Sequence, residues 1–131
     1  MRRPVATLWS LRILLSVHLL AVLCQPVLAG LFLTGDVDAI AVHSAVAVGI
    51  ELLTLIAVPV VIGYVTVGRG QLWTLPAIVV LFLAEFVQAV FGYTRTLQFH
   101  VPLGVAVVVT SVLLAAWVWT RALRYSVRTG E

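Results

Sequence analysis

The sequence predicts an all-α integral membrane protein, an antiparallel four-helix bundle built from two pseudo-repeated helical hairpins. Two observations carry this prediction. Hydrophobic residues make up 63% of the 131 residues and charged residues only 10%, whereas soluble proteins carry about a quarter charged residues. The charges also divide the chain into four apolar runs, each of about 20 residues or more, which is enough to cross a hydrocarbon core about 30 Å thick.

These four runs are predicted to be helices over residues 10–33, 39–67, 72–93 and 98–120, within a single domain that covers residues 1–131. The bilayer core offers no water to backbone polar groups, so a spanning segment has to pair them internally as a helix. The chain is too apolar for the alternating pattern of a membrane barrel. Because the three links are short, consecutive helices are expected to run antiparallel.

The first run has a second interpretation. A basic start, an apolar stretch and the small-residue segment that ends at Ala29 resemble a cleavable secretory signal. The apolar run continues to Leu33, however, which favours an uncleaved transmembrane helix.

All eight basic residues are arginine, and they are distributed unevenly. Seven fall on one side of the predicted bundle, namely Arg2, Arg3, Arg12, Arg69, Arg121, Arg124 and Arg128. The positive-inside rule then places both termini in the cytoplasm of a bacterial cell, with the bundle in its inner membrane. The four tryptophans fall near the same interface. Arginines that set topology do not form a nucleic-acid-binding face, so we expect no nucleic acid partner.

Two histidines are predicted at similar depth on the parallel second and fourth helices. At helical spacing, each histidine is followed on its own helix face by a small residue, an aliphatic residue and a hydroxyl residue. The two stripes are His43, Ala47, Ile50, Thr54 and His100, Gly104, Val107, Ser111. The small residues Ala47 and Gly104 would leave a slot for a flat macrocycle. Each hairpin thus carries a glutamine and then a histidine, Gln25 with His43 and Gln88 with His100.

Two imidazoles that face each other in a bundle suit six-coordinate haem iron. The sequence therefore predicts haem b, with His43 and His100 as axial ligands and Arg95 paired with a propionate. Two alternatives stay open, since the histidines could instead hydrogen-bond the helices together or bind a different metal. His18, Glu51 and Glu85 lie deeper and form a separate set, with three interpretations: a proton path, a zinc or iron site, or a hydrogen-bond cluster.

The segments from Gln25 to Gly49 and from Gln88 to Gly104 resemble half of a haem A synthase. That family has two four-helix bundles, each with histidines on its second and fourth helices that can hold haem. The resemblance implies that His43 and His100 are haem ligands. This chain departs from the family in having a single bundle and a first link too short for the catalytic loop with its cysteines, so nothing catalytic is carried over. The bundle is also similar to the b-type cytochrome anchors of respiratory enzymes.

The predicted function is electron transfer or haem handling by a membrane haem b protein. One alternative is a cofactor-free accessory or scaffold subunit of a membrane complex. Another is a metal or proton permease that uses the intramembrane His and Glu residues. Besides the lipid bilayer, the expected partners are a second copy of the chain or a larger membrane redox complex. The sequence offers no nucleophile or general base with a visible partner, so no enzymatic activity is predicted.

Overall fold

The computed structural model describes the backbone of residues 2–129 and the side chains of residues 5–120. It contains four α-helices, α1 Arg2–Leu33, α2 Ala39–Thr66, α3 Thr74–Tyr93 and α4 Leu97–Thr129, and no strand within that range. Each helix includes a stretch long and apolar enough to cross a membrane. The predicted fold class, an integral membrane four-helix bundle, is confirmed.

The helices stand at the corners of a square. α1 packs on α2 and α4, and α3 packs on the same two helices, whereas α1–α3 and α2–α4 are diagonals whose described backbones do not touch. One end of the bundle carries the link between α2 and α3 together with both ends of the described chain, and it is called the terminal end below. The end with the other two links is called the histidine end.

The helices differ from their predicted limits mainly at the terminal end. α1 begins at Arg2 instead of residue 10, and α4 continues to Thr129 instead of ending at residue 120. A helix need not end where the lipid ends, since water can satisfy its last backbone groups. Several of the arginines used to predict orientation, Arg2, Arg3, Arg121, Arg124 and Arg128, have side chains outside the described residues.

The core is a continuous apolar column to which every helix contributes, including Leu15, Ile50, Val61, Ile78 and Val118. The outer faces are equally apolar, as shown by Leu20, Val80 and Leu113, which are each 64% exposed. A helix that is hydrophobic all round is typical of a membrane span, because lipid covers the side that the bundle does not.

The two links at the histidine end have the same backbone design. Gly35 (φ +108°) and Arg95 (φ +56°) both adopt left-handed conformations after a helix end. In each link the next amide donates to the carbonyl five residues earlier, Asp36 to Leu31 at 3.1 Å and Thr96 to Phe91 at 2.8 Å. This is the Schellman pattern of helix termination, and its recurrence supports the two-hairpin description.

Candidate functional site

The histidine end of the bundle brings the two predicted histidines together. The ring centroids of His43 and His100 lie 6.2 Å apart, with their planes inclined at 55°. They project from α2 and α4, so they meet across a diagonal that the backbones do not bridge. Both side chains are half-buried.

Each imidazole is held through Nδ1 by a backbone carbonyl on the preceding helix. His43 Nδ1 donates to the Gln25 carbonyl at 3.3 Å, and His100 Nδ1 donates to the Gln88 carbonyl at 2.8 Å. A carbonyl can only accept, so the proton of each neutral ring is on Nδ1 and Nε2 keeps its lone pair. The sequence pointed to the two glutamines, but it is their backbone that holds the histidines.

Gly92 explains why His100 can lie so close to α3. A Cβ atom at this position would stand 2.9 Å from His100 Cε1. Gly92 follows Gln88 by four residues, one helical turn, and so lies beside the carbonyl that His100 contacts. A small residue, Ala29, occupies the same position relative to Gln25 in the first hairpin.

The glutamine side chains behave differently in the two hairpins. Gln25 Nε2 donates to the backbone carbonyl of His43 at 3.2 Å, and its Oε1 is buried without a hydrogen-bond partner. Gln88 Nε2 lies 3.5 Å from Nε2 of His100. It also fills the space beside Gly104, where an added Cβ would stand 2.9 Å from it. Because Gly104 has no side chain, it leaves room for this amide. The open slot expected at Gly104 is therefore occupied.

The rest of each predicted stripe faces inward. Ala47 is half-buried, while Ile50 and Val107 are buried in the core. Both hydroxyls are buried and donate one turn back along their own helices, Thr54 to the Ile50 carbonyl at 3.1 Å and Ser111 to the Val107 carbonyl at 2.8 Å. They are thus satisfied within their helices.

Arg95, predicted to face a propionate, lies in the link between α3 and α4, two residues before α4 begins. Its side chain is exposed. Within the described part of the chain it forms no ion pair. The guanidinium is therefore available to a group outside the chain.

The deeper predicted set separates into a pair and a single residue. His18 Nε2 lies 2.7 Å from Glu85 Oε1, and both side chains are 3% exposed. The other polar atoms, His18 Nδ1 and Glu85 Oε2, are buried without hydrogen-bond partners. Glu51 is half-buried on α2 and hydrogen-bonds to neither residue. No three His, Cys, Asp or Glu side chains converge as a metal site among residues 5–120.

The chain matches no family model, no curated protein and no solved structure with which it was compared. The bundle holds two polar side-chain pairs, one on each diagonal. His43 and His100 each keep an Nε2 lone pair at one end of the bundle, and the Gln88 amide lies 3.5 Å from Nε2 of His100. His18 and Glu85 hydrogen-bond to each other on the other diagonal.

Proposed function

We propose that this chain is an integral membrane haem b protein in which Nε2 of His43 and Nε2 of His100 are the axial ligands. The observation that carries the proposal is the fixed tautomer of both rings: each gives its Nδ1–H to a backbone carbonyl. Histidines that bind metals almost always give their other N–H to a carbonyl, carboxylate or water, which orients the ring.

The two rings also lie near each other, with centroids 6.2 Å apart, so one bound group could contact both. Among residues 5–120, no carboxylate forms an ion pair or a hydrogen bond with either ring of the proposed site.

The residues around the rings suit a macrocycle once one side chain moves. Ala47 and Gly104 add little bulk beside the histidines, and the Gln88 amide is the group that has to leave the space at Gly104. The exposed Arg95 guanidinium can pair with a propionate, because arginine binds carboxylates bidentately. Bound haem would supply one-electron chemistry between ferric and ferrous iron, at a potential that its ligands and their burial set.

This proposal includes a cellular setting. Seven of the eight arginines belong to the terminal end, which by the positive-inside rule is cytoplasmic in a bacterial inner membrane. The haem would then lie near the outer face. There it would exchange electrons with, or pass haem to, a second copy of the chain or a larger membrane redox complex.

The test is an absorption spectrum of the protein purified in detergent with and without added haem. The expected result is a Soret band of low-spin six-coordinate iron that His43→Ala and His100→Ala each abolish or convert to a five-coordinate form. His18→Asn is the matched control, since it removes a bundle histidine outside the site and should keep the band. Absence of a Soret band after haem supplementation would reject the proposal.

A cofactor-free accessory subunit is the second candidate, and one observation favours it. The Gln88 amide fills the space at Gly104, so one of the chain's own side chains already occupies room that a macrocycle would need. In that case His43→Ala lowers stability and changes no spectrum, and a larger membrane partner co-purifies with the wild type.

A further inference from the structure

Arg12 is buried at the terminal end of the bundle, although its sequence position predicted an arginine at the membrane edge. It lies within α1 and is 4% exposed. Its Nε donates to the Val118 carbonyl at 3.3 Å. Its Cζ lies 4.8 Å from the ring centroid of Trp9 and 5.0 Å from that of Trp119, so indole faces from α1 and α4 enclose the cation.

The positive charge of Arg12 has no counter-charge among the described side chains. Among residues 5–120, no carboxylate lies within ion-pair distance of the guanidinium. One of its nitrogens, Nη2, is buried without a hydrogen-bond partner. An arginine stays protonated in proteins, and a buried unpaired charge is costly. An anion from outside the chain would satisfy both the charge and the free N–H groups.

A groove of about 420 Å³ lies between α1 and α4, and Trp119, whose ring contacts Arg12, forms part of its lining. Its walls are apolar, with Leu19 and Leu20 on α1 and Val112 and Ala116 on α4. Ser16 also lines the groove, and Trp119 Nε1 donates to Ser16 Oγ at 3.1 Å. Leu20 and Val112 are exposed, so the groove opens toward the lipid that surrounds the bundle.

We propose that this groove binds an anionic phospholipid, with an acyl chain along the apolar walls and the phosphate on Arg12. The pairing follows from chemistry, because arginine binds phosphate oxygens through several N–H groups and Arg12 has committed only Nε. Tryptophans prefer the headgroup level, which places the Trp9 and Trp119 rings where a phosphate lies. Both rings are partly exposed, and phosphate binding requires one of them to move aside, since Arg12 itself is buried beneath them. Basic sites between transmembrane helices bind acidic headgroups in this way.

The experiment compares thermal unfolding of the full chain, followed by circular dichroism, in detergent micelles doped with phosphatidylglycerol or with phosphatidylcholine of the same acyl chains. Phosphatidylglycerol should raise the midpoint of the wild type by several degrees over phosphatidylcholine. Arg69→Gln, which removes an exposed arginine from the same end, should keep this difference. Arg12→Gln should abolish it. Inorganic phosphate alone should give no rise, since it lacks the acyl chain.

A second variant keeps the test decisive if Arg12→Gln does not fold. Ala116→Phe fills the groove from an exposed position and leaves Arg12 in place. It should keep the helical spectrum and lose the phosphatidylglycerol effect. Native mass spectrometry should show one phosphatidylglycerol retained by the wild type and by Arg69→Gln, and none by Ala116→Phe. An equal rise in the wild type and in Ala116→Phe would overturn the proposal, as would no difference between the two lipids.

Discussion

His18 Nε2 lies 2.7 Å from Glu85 Oε1 and so joins α1 to α3 across a diagonal on which their backbones do not touch. Both side chains are buried at 3% exposure. The contact fixes the register of two helices that otherwise meet only through α2 and α4. Its remaining polar atoms have no partners, so the pair is an isolated polar element inside an apolar column.

The pair should respond non-additively to substitution. His18→Leu leaves the Glu85 carboxyl buried without a partner, and Glu85→Leu does the same to the imidazole, so each should cost about 1–3 kcal/mol of the free energy of unfolding. The double variant leaves no orphaned polar group and should cost less than the sum of the two, because apolar replacement of a whole buried pair is often neutral. Reversible unfolding in mixed micelles measures all three. Strictly additive losses would show that the two side chains do not interact.

The glycines at the histidine end should differ in their tolerance of a methyl group. Gly92→Ala places a Cβ 2.9 Å from His100 Cε1 and has to displace the ring, at a cost of about 1–3 kcal/mol for overpacking. If the histidines bind haem, the Soret band should weaken as well. Gly49→Ala is the matched control, because nothing lies within 4 Å of its added Cβ. Thermal unfolding and haem titration compare them, and equal behaviour of the two variants would contradict the close approach at Gly92.

Gln88 has two roles that a substitution can separate. Its backbone carbonyl holds His100, and its side-chain amide fills the space at Gly104. Gln88→Ala keeps the carbonyl and removes the amide. If haem binds between the histidines, this variant should bind it at least as tightly as the wild type, because the space no longer has to be cleared. Gln25→Ala is the comparison in the other hairpin, where the amide supports the His43 carbonyl. Equilibrium haem titration gives the two dissociation constants, and a large loss of affinity in Gln88→Ala would show that the amide itself is needed.

The sequence was sufficient for those features that helical periodicity alone determines. The period of 3.6 residues places His43, Ile50 and Thr54 on one face, and the structure turns that face inward. The short links required antiparallel neighbours, and hence the matched depth of His43 and His100.

Features that depend on the exact distance between helices could not be predicted in this way. Gln88 approaches His100 through its carbonyl as well as its amide because α3 and α4 pack closely, and composition does not encode that distance. Arg12 resembles an interface marker in the sequence because it borders an apolar run. Its burial depends on Trp119 and the Val118 carbonyl, more than 100 residues away along the chain.

Arg95 and Arg69 allow backbone strain to be separated from ligand binding. Both are exposed and both adopt left-handed conformations, with φ of 56° and 50°. Glycine adopts this conformation without the steric penalty of about 1 kcal/mol or more that other residues carry. Relief of this penalty in Arg95→Gly and in Arg69→Gly should raise the free energy of unfolding by about 1 kcal/mol each. The greater conformational entropy that glycine gives the unfolded chain offsets part of this gain.

Haem should distinguish the two arginine variants. Arg95 lies at the histidine end and Arg69 at the terminal end, so only Arg95→Gly removes a cation that can pair with a propionate. We expect Arg95→Gly to weaken haem affinity several-fold, as the loss of one exposed ion pair of up to about 1 kcal/mol implies. Arg69→Gly should leave the affinity unchanged. Equal haem affinity of the two variants would remove Arg95 from the site while leaving the axial histidines to the spectroscopic test.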